Sequence, residues 1–343
     1  MPSSGRPVLS KALTLYLLWC LVGVCILRSA SAEIRVVSAD EWHNIYGGRS
    51  TTFNYNITGD EQSSGILGWH LSHNQRTINR GEQAITIEPG QSRSVAITLD
   101  IPPVDNGKVI ALSLAVSVSA GNPGTGEAKG IKTVWVFDPH PFASHFKNVG
   151  GIDTYLFDPA GKTAEMIIGP DMPVQLINDI DRLFAIKNSL IVIGESVDLD
   201  RTIGLVEALN SAAAAGNGVL CLAPRQGTIP LNGPVGRSHP VPARITVSDH
   251  TAIESFDKRL DSRMWYPGQS PEVSGVSIEK AGPDICLAVK EGAGQWPWAE
   301  KVFPGNGSLV ICGFGIIRHW RTSPSAPYLM AVVLAEMADR IRQ

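Results

Sequence analysis

Four apolar runs each end in a residue able to bind or react. "YLF" is followed by Asp158, "IVIG" by Glu195, "CLAP" by Arg225, and "VICGFGII" by Arg318, His319 and Trp320. Open α/β sheets bind ligands beyond the carboxyl ends of their strands. The candidate ligand-binding set is therefore Asp158, Glu195, Arg225, His319 and Trp320, with Arg318 beside them. Two acids, two arginines, a histidine and an aromatic ring at one rim suit a polar ligand such as a sugar. The charges bond its hydroxyls, and aromatic faces, including Trp296 and Trp298 of "GQWPWAE", cover its C–H surface. The simpler alternative is that the charges are solvated or pair with each other, and that the tryptophans pack at a seam. Asp158 and Glu195 also invite comparison with a glycosidase carboxylate pair, which needs a separation of about 5–9 Å. The chain carries none of the supporting subsites.

A second candidate for chemistry is Cys221, in "GNGVLCLAPRQG" (216–227). A nucleophile elbow is a strained turn of the form G-x-Nuc-x-G, with small flanking residues that let the chain bend. Here the flanking places are Val219 and Ala223, and the turn residues begin only at Pro224. This puts Cys221 inside a strand, where apolar surroundings raise a thiol's pKa and leave it inert. The exposed positions beyond are Arg225 and Gln226, neither a nucleophile. No catalytic residue is assigned.

The elements that must position these groups divide the chain in two. Residues 33–138 alternate polar and apolar with β-branched and aromatic enrichment, broken by Glu88-Pro89-Gly90, Pro102-Pro103, Asp105-Asn106-Gly107 and the glycine-rich 121–124. This pattern predicts an all-β sandwich, with Ile110, Leu112, Leu114, Val116 and Val118 on one face of a strand. "DPHPFASHFKNVGG" supplies a linker over 139–151, with His140, Phe142 and His145 packed at the seam. Residues 152–343 alternate strand and helix, which predicts a three-layer, doubly wound α/β domain of flavodoxin or amidotransferase type. Helices are expected over 174–184, over 199–214 with a stop at Gly216, and from Ser323-Pro324 onward, with Met330, Val333, Met337 and Ile341 packing the last one onto the sheet. The Pro/Gly-rich stretch 225–270 reads as irregular.

The first 32 residues carry Arg6 and Lys11, the apolar run 12–27 and Ala30-Ser31-Ala32. A basic start, a short apolar core and a small-x-small site read as a secretory signal. Arg28 leaves an uncleaved anchor over 12–27 as the alternative. The expected location is periplasmic or extracellular. Removing the leader takes three basic and no acidic residues, so the net charge moves from −3 to −6. A mildly acidic surface without a basic block argues against nucleic acid as a partner, and leaves membrane contact to the leader alone. Of five cysteines, Cys221, Cys286 and Cys312 lie beyond the leader, each inside an apolar run. An odd number placed this way is not a disulfide framework. No Cys/His spacing resembles a zinc site, and no metal or cofactor is assigned.

The order of features in 152–343 resembles the class I glutamine amidotransferase-like domain, in the form that accompanies family 2 glycoside hydrolase modules in secreted bacterial proteins of planctomycete type. The likeness rests on "YLFDPAGKT", "NSLIVIGESVDLD", "DHTAIESFDKRLDSRMW" and "GNGSLVICGFGIIRHWRTSPSAPYLMAVVLAEM". The first half is similar to the immunoglobulin-like sandwiches that accompany such domains, on "GWHLSHNQRTINRGEQAITIEPGQSRSVAITLDIPP". The chain departs from the pattern in lacking the amidotransferase cysteine and a glycosidase barrel of about 250 residues. The resemblance thus implies an exported, non-catalytic binding or scaffold protein associated with carbohydrate or envelope, whose partner is a carbohydrate or another protein. The alternatives are a glycoside or amide hydrolase using the same rim, and a purely structural protein–protein module.

Overall fold

The computed structural model describes residues 33–40, 44–105, 107–120, 128–145, 151–169, 172–231, 240–257, 260, 273–281, 284–292 and 296–343. The leader, the glycine-rich 121–127 and most of the segment 258–272 lie outside the described residues. The protein is mostly β, built from several sheets.

The N-terminal region is all-β. Strands β1 (Ile34–Ser38), β3 (Ser50–Gly59) and β6 (Ser92–Asp100) form a three-stranded antiparallel sheet in the order β1-β3-β6. Strands β2 (Asn44–Tyr46), β4 (Ser63–His73), β5 (Arg76–Ile87), β7 (Val109–Ala120) and β8 (Ala128–Phe137) form the second, in the order β2-β8-β7-β4-β5. One apolar core joins the two: Phe53, Tyr55, Ile57 and Ile97 from the first meet Leu67, Leu114, Val116 and Val134 from the second. The period-two pattern of β7 places Leu112, Leu114, Val116 and Val118 inside as expected, with Ile110 half-buried. At about 1.5–3 kcal/mol for each buried Val or Leu side chain, this one strand contributes several kcal/mol to the core. The β4–β5 hairpin turns at Asn74 (φ 46°) and Gln75 (φ 68°). Two successive positive φ values are the mark of the tight turn whose twist suits a hairpin.

In the C-terminal region, β9 (Thr154–Phe157), β10 (Gln175–Ile177), β11 (Leu190–Ile193), β12 (Gly218–Leu222) and β18 (Ser308–Cys312) run parallel. With β17 (Trp298–Val302) and β14 (Arg244–Ser248) added antiparallel, they complete a seven-stranded sheet in the order β10-β9-β11-β12-β18-β17-β14. Apolar side chains leave both faces. Leu190, Val192, Leu220 and Val310 pack with α5 (Ser325–Arg342), while Ile191, Val219, Cys221 and Ile311 pack with α3 (Leu205–Ala214). Apart from Ser308 at the start of β18, the central strands β11, β12 and β18 carry no polar side chain, because neither face meets water.

Several expectations are corrected. The helix expected over 199–214 begins only at Leu205, after Gly204 at its N-cap. The stretch 174–184 is not a helix: it is β10 followed by a 3₁₀ turn, Ile180–Phe184. Asp179 accepts a hydrogen bond from Asp181 N (2.9 Å) and caps that turn. An acceptor at this position competes with helix propagation, and Leu176 and Phe184 remain exposed. The stretch 225–270 is not wholly irregular, since it holds β13 (Gln226–Pro230), β14 and α4 (Ala252–Phe256). Strands β15 (Gly275–Ala281) and β16 (Asp284–Lys290) do not extend the main sheet. They join β13 in a separate antiparallel sheet, β13-β16-β15, whose Ile229, Leu287 and Val276 cover the α3 face. A short helix, α2 (Lys162–Ile167), follows β9 where the sequence reads as loop. The last helix starts two residues later than Ser323, with Pro324 at its N-cap and no side-chain cap.

The seam between the regions is built on α1 (Pro141–His145) and α5. Tyr328 meets Phe137 edge-on at 5.4 Å and His145 at 5.6 Å, and its hydroxyl donates to Asp257 Oδ2 (2.8 Å). Asn44 Nδ2 donates to Ser325 Oγ (2.7 Å). Phe142 and His145 lie at the seam as the sequence suggested, whereas His140 is exposed.

Candidate functional site

Parallel strands bring their carboxyl ends to one edge of the sheet. The chain leaves β9 toward β10 on one side, then returns past β9 to β11 on the other. Asp158 stands at the end of β9, and Gly194-Glu195 at the end of β11.

Asp158 is 7% exposed. Its Oδ2 accepts from Ala164 N in α2 (2.8 Å). Among the described residues its Oδ1 has no hydrogen-bond partner. That oxygen lies against Gly194, where a Cβ would come within 2.7 Å of it. The glycine is what gives the carboxylate its place.

Glu195 is buried as well, and its backbone N donates to Thr163 Oγ1 (2.9 Å). Its Oε2 accepts from Ile317 N (2.8 Å), and its Oε1 is 3.9 Å from Arg318 Nε. Arg318 Nη2 is 3.8 Å from Glu291 Oε1, and Glu291 Oε2 is 3.8 Å from Arg225 Nε. A chain of alternating charge thus runs outward from buried Glu195 through half-exposed Arg318 to Glu291 and Arg225. The outer members are exposed and loosely spaced, so each such pair contributes at most about 1 kcal/mol to stability.

The remaining sequence candidates are placed differently. His319 is buried, and its backbone carbonyl accepts from Thr322 N (3.1 Å) and Ser323 N (2.9 Å), which shapes the turn into α5. Trp320 stacks on Phe142 with centroids 5.7 Å apart, and the two help line a cavity of about 190 Å³ at the seam with Tyr46 and Met172. It therefore packs at the seam and does not join Glu195, Arg318, Glu291 and Arg225. Trp298 is buried against Phe256 at 5.1 Å, and Trp296 packs into the opposite face. Glu291 was not visible in the sequence. It follows β16, and only the pairing of β13 with β16 brings it to Arg225.

Cys221 lies within β12, paired in register with Ile193 and Ile311, and is fully buried. Burial pushes its thiol up to about 12, and Cys312 adds to the shift. Burial pushes Cys312 to about 12 as well. Cys286 is buried, and its Sγ donates to Glu279 O (3.3 Å). All three are free thiols. The sharp bend at the end of β12 falls on Ala223, whose φ is 24°. Its N donates to Cys312 O (2.6 Å), and its O accepts from Ser196 N (3.0 Å). A non-glycine residue held in that region costs on the order of 1–3 kcal/mol. The strained position where a nucleophile would project thus carries a methyl group, two residues before Arg225, where the sequence suggested it. Among the described residues, no three His, Cys, Asp or Glu side chains gather as a metal site. No described helix is long and apolar enough to cross a membrane.

No family model and no curated protein matches the chain. Among solved structures it is similar to the sporulation control protein Spo0M from Bacillus subtilis (14% identity, 35% of this chain and 53% of that one, TM-score 0.24). It is also similar to a β-glucosidase from Listeria innocua in complex with glucose (13% identity, 31% and 16%, TM-score 0.23). A third likeness is to the C-terminal domain of wzt (14% identity, 32% and 73%, TM-score 0.22). The chain spans about half the length of the first of these and about a sixth of the second. At these scores the likenesses carry no argument about fold or function.

Proposed function

We propose that the protein is an exported, non-catalytic binding or scaffold protein. It pairs an immunoglobulin-like sandwich over 33–138 with a doubly wound, three-layer domain of class I glutamine amidotransferase type over 152–343. The ligand is polar and hydroxyl-rich, a carbohydrate or an envelope glycan, held at the carboxyl edge of the parallel strands. The parallel run, with α2 and α5 on one face and α3 on the other, supports the doubly wound reading. The observation that carries the functional reading is the turn at the end of β12: Ala223 occupies the strained position, and the nearest thiol, Cys221, is sealed in the core. A site of this kind retains groups that hold a ligand and lacks the one that would form a covalent intermediate with it. The alternating charges of Glu195, Arg318, Glu291 and Arg225 supply donors and acceptors in the pattern that hydroxyls complement.

The test is binding of neutral oligosaccharides, measured by titration calorimetry and thermal shift, in wild type and Arg318→Ala. Binding weakened by the substitution, with no turnover of the bound sugar, is the expected result. Hydrolysis of a glycoside or amide that Glu195→Gln abolishes would instead establish a hydrolase. No binding together with a stable oligomer in light scattering would establish a structural module.

A further inference from the structure

The five-stranded sheet of the N-terminal region turns one face to the sandwich core and the other outward. On the outer face, strand pairing sets Glu82, Gly68, Ser117 and Lys129 side by side in one row across β5, β4, β7 and β8. The next row is Arg80, His70, Ala115 and Ile131. All of these but Ile131 line a trough of about 610 Å³. A carboxylate thus stands at one end of the first row and an ammonium at the other, about 14 Å away at an interstrand spacing of about 4.8 Å. Both side chains are exposed, and among the described residues neither makes an ion pair or a side-chain hydrogen bond. Ile131 is 68% exposed and Ile66, on the same face, 49%. Glycine weakens a strand interior and often marks the close approach of another backbone. Nothing within the chain requires it at position 68, where an added Cβ would meet no atom nearer than Ser117 Oγ at 3.8 Å. We propose that this face is a homodimer interface, in which a second copy of the chain packs its own β5-β4-β7-β8 face against it about a two-fold axis parallel to the strands. The inference does not depend on the binding reading above.

The order of charges selects both the partner and the axis. Rotation about an axis that runs along the strands, between β4 and β7, reverses each row without moving it along the strands. Lys129 of each copy then lies over Glu82 of the other, the reciprocal contact that an isologous interface requires. An axis across the strands would set β8 on β8 and bring like charges together, which opposes association. The rotation along the strands also places Arg80 over Ile131, where the aliphatic stem of the arginine covers the exposed side chain. His70 faces Ala115, and Ile66 faces Ser119, large against small, as interdigitating sheets about 10 Å apart need. Four strands, over the eight residues of β4 that pair with β7 (Gly65–Ser72), present roughly 500 Å² per copy. A dimer burying about 1,000 Å² lies at the low end of specific interfaces, where transient complexes are found. The association is therefore weak, and its ionic contacts make it salt-sensitive.

The test is sedimentation equilibrium of the full chain at concentrations from about 5 to 500 μM. Wild type should pass from monomer to dimer across that range, and added salt should shift it back toward monomer. Glu82→Lys and Lys129→Glu each set like charges against one another. Each should raise the dimer dissociation constant by about tenfold or more, with circular dichroism and melting temperature unchanged. An equimolar mixture of the two variants should dimerise again as wild type does, because the rotated rows then carry two lysines on one copy against two glutamates on the other. Recovery on mixing also shows that the single variants are folded. Wild type that stays monomeric at the highest concentration would overturn the proposal. A dimer that neither charge reversal weakens would refute this face as its interface. Folded variants that remain monomeric when mixed would refute the pairing of Lys129 with Glu82 and the axis with it.

Discussion

Lys301 provides the sharpest quantitative prediction. It lies in β17, 3% exposed, on the face packed by α3. Its Nζ donates to Asn210 Oδ1 (2.6 Å) and to Pro230 O (2.7 Å), and stands 5.7 Å from the centre of the Phe303 ring. Burial lowers its pKa from 10.5 to about 8. Between those two values the unfolded chain holds a proton that the folded one has released, so stability rises with pH across the window. At about 1.4 kcal/mol per pH unit, the gain from pH 8 to 10.5 is about 3 kcal/mol. Below pH 8 both states are protonated, and the cost of sheltering the ammonium is constant. Lys301→Met removes the buried cation but strands two acceptors, at about 1–3 kcal/mol each. Near pH 7 gain and loss are of similar size, so the variant and wild type should unfold at similar urea concentrations. As pH rises toward 10, wild type should gain on the variant by close to 3 kcal/mol. Cys221 and Cys312, with thiols raised to about 12, act in the opposite direction above pH 9, but both proteins carry them, so they cancel in the difference. A wild-type-minus-variant stability that stays flat between pH 7.5 and 10 would refute the assignment of a buried, uncompensated amine.

Two further outcomes follow from the packing. Asn217 is fully buried and ties three segments: Nδ2 donates to Ile186 O (2.7 Å) and Ala212 O (2.8 Å), and Oδ1 accepts from Ser189 N (3.0 Å). Asn217→Ala should therefore cost about 3 kcal/mol, read as a drop in the urea midpoint at unchanged slope. Tyr328 joins Phe137, His145 and Asp257 at the seam. Tyr328→Ala should split a single calorimetric transition into two, whereas Tyr328→Phe, which keeps the ring contacts, should lose only about 1 kcal/mol and melt in one step.

The legible parts of the fold were those whose pattern is local. The period-two alternation of β7 and the unbroken apolar runs of β11, β12 and β18 announced themselves, because side-chain direction follows directly from strand geometry. The β4–β5 hairpin was not visible as a hairpin, since Asn74-Gln75 lacks the glycine that usually marks two positive φ values. The expected helix over 174–184 failed because Leu176, Ile177, Ile180 and Leu183 match a helical spacing that the cap at Asp179 interrupts. In the separate sheet of β13, β15 and β16, β15 and β16 pair as a local hairpin, but the pairing of β13 with β16 spans more than fifty residues, for which no local signal exists. The same division holds at the site. Asp158 and Glu195 were found from strand ends, because parallel strands carry their ends to one edge. Glu291 was invisible for want of long-range pairing, and Trp320 was misplaced because sequence adjacency to Arg318 and His319 does not decide which side of a turn a ring packs against.

The claim on which the proposed binding role turns is that the thiol nearest the turn at the end of β12, Cys221, is sealed in the core and unreactive. Alkylation of the native protein by iodoacetamide at pH 8, read by peptide mass spectrometry, tests it directly. With a thiol raised to about 12, the thiolate fraction of Cys221 is about 10⁻⁴, against about one quarter for a free cysteine of pKa near 8.5. Labelling of Cys221 more than a thousandfold slower than in the urea-unfolded chain is the result predicted. Labelling within minutes in the native state, at a rate close to that of a free thiol, would contradict it.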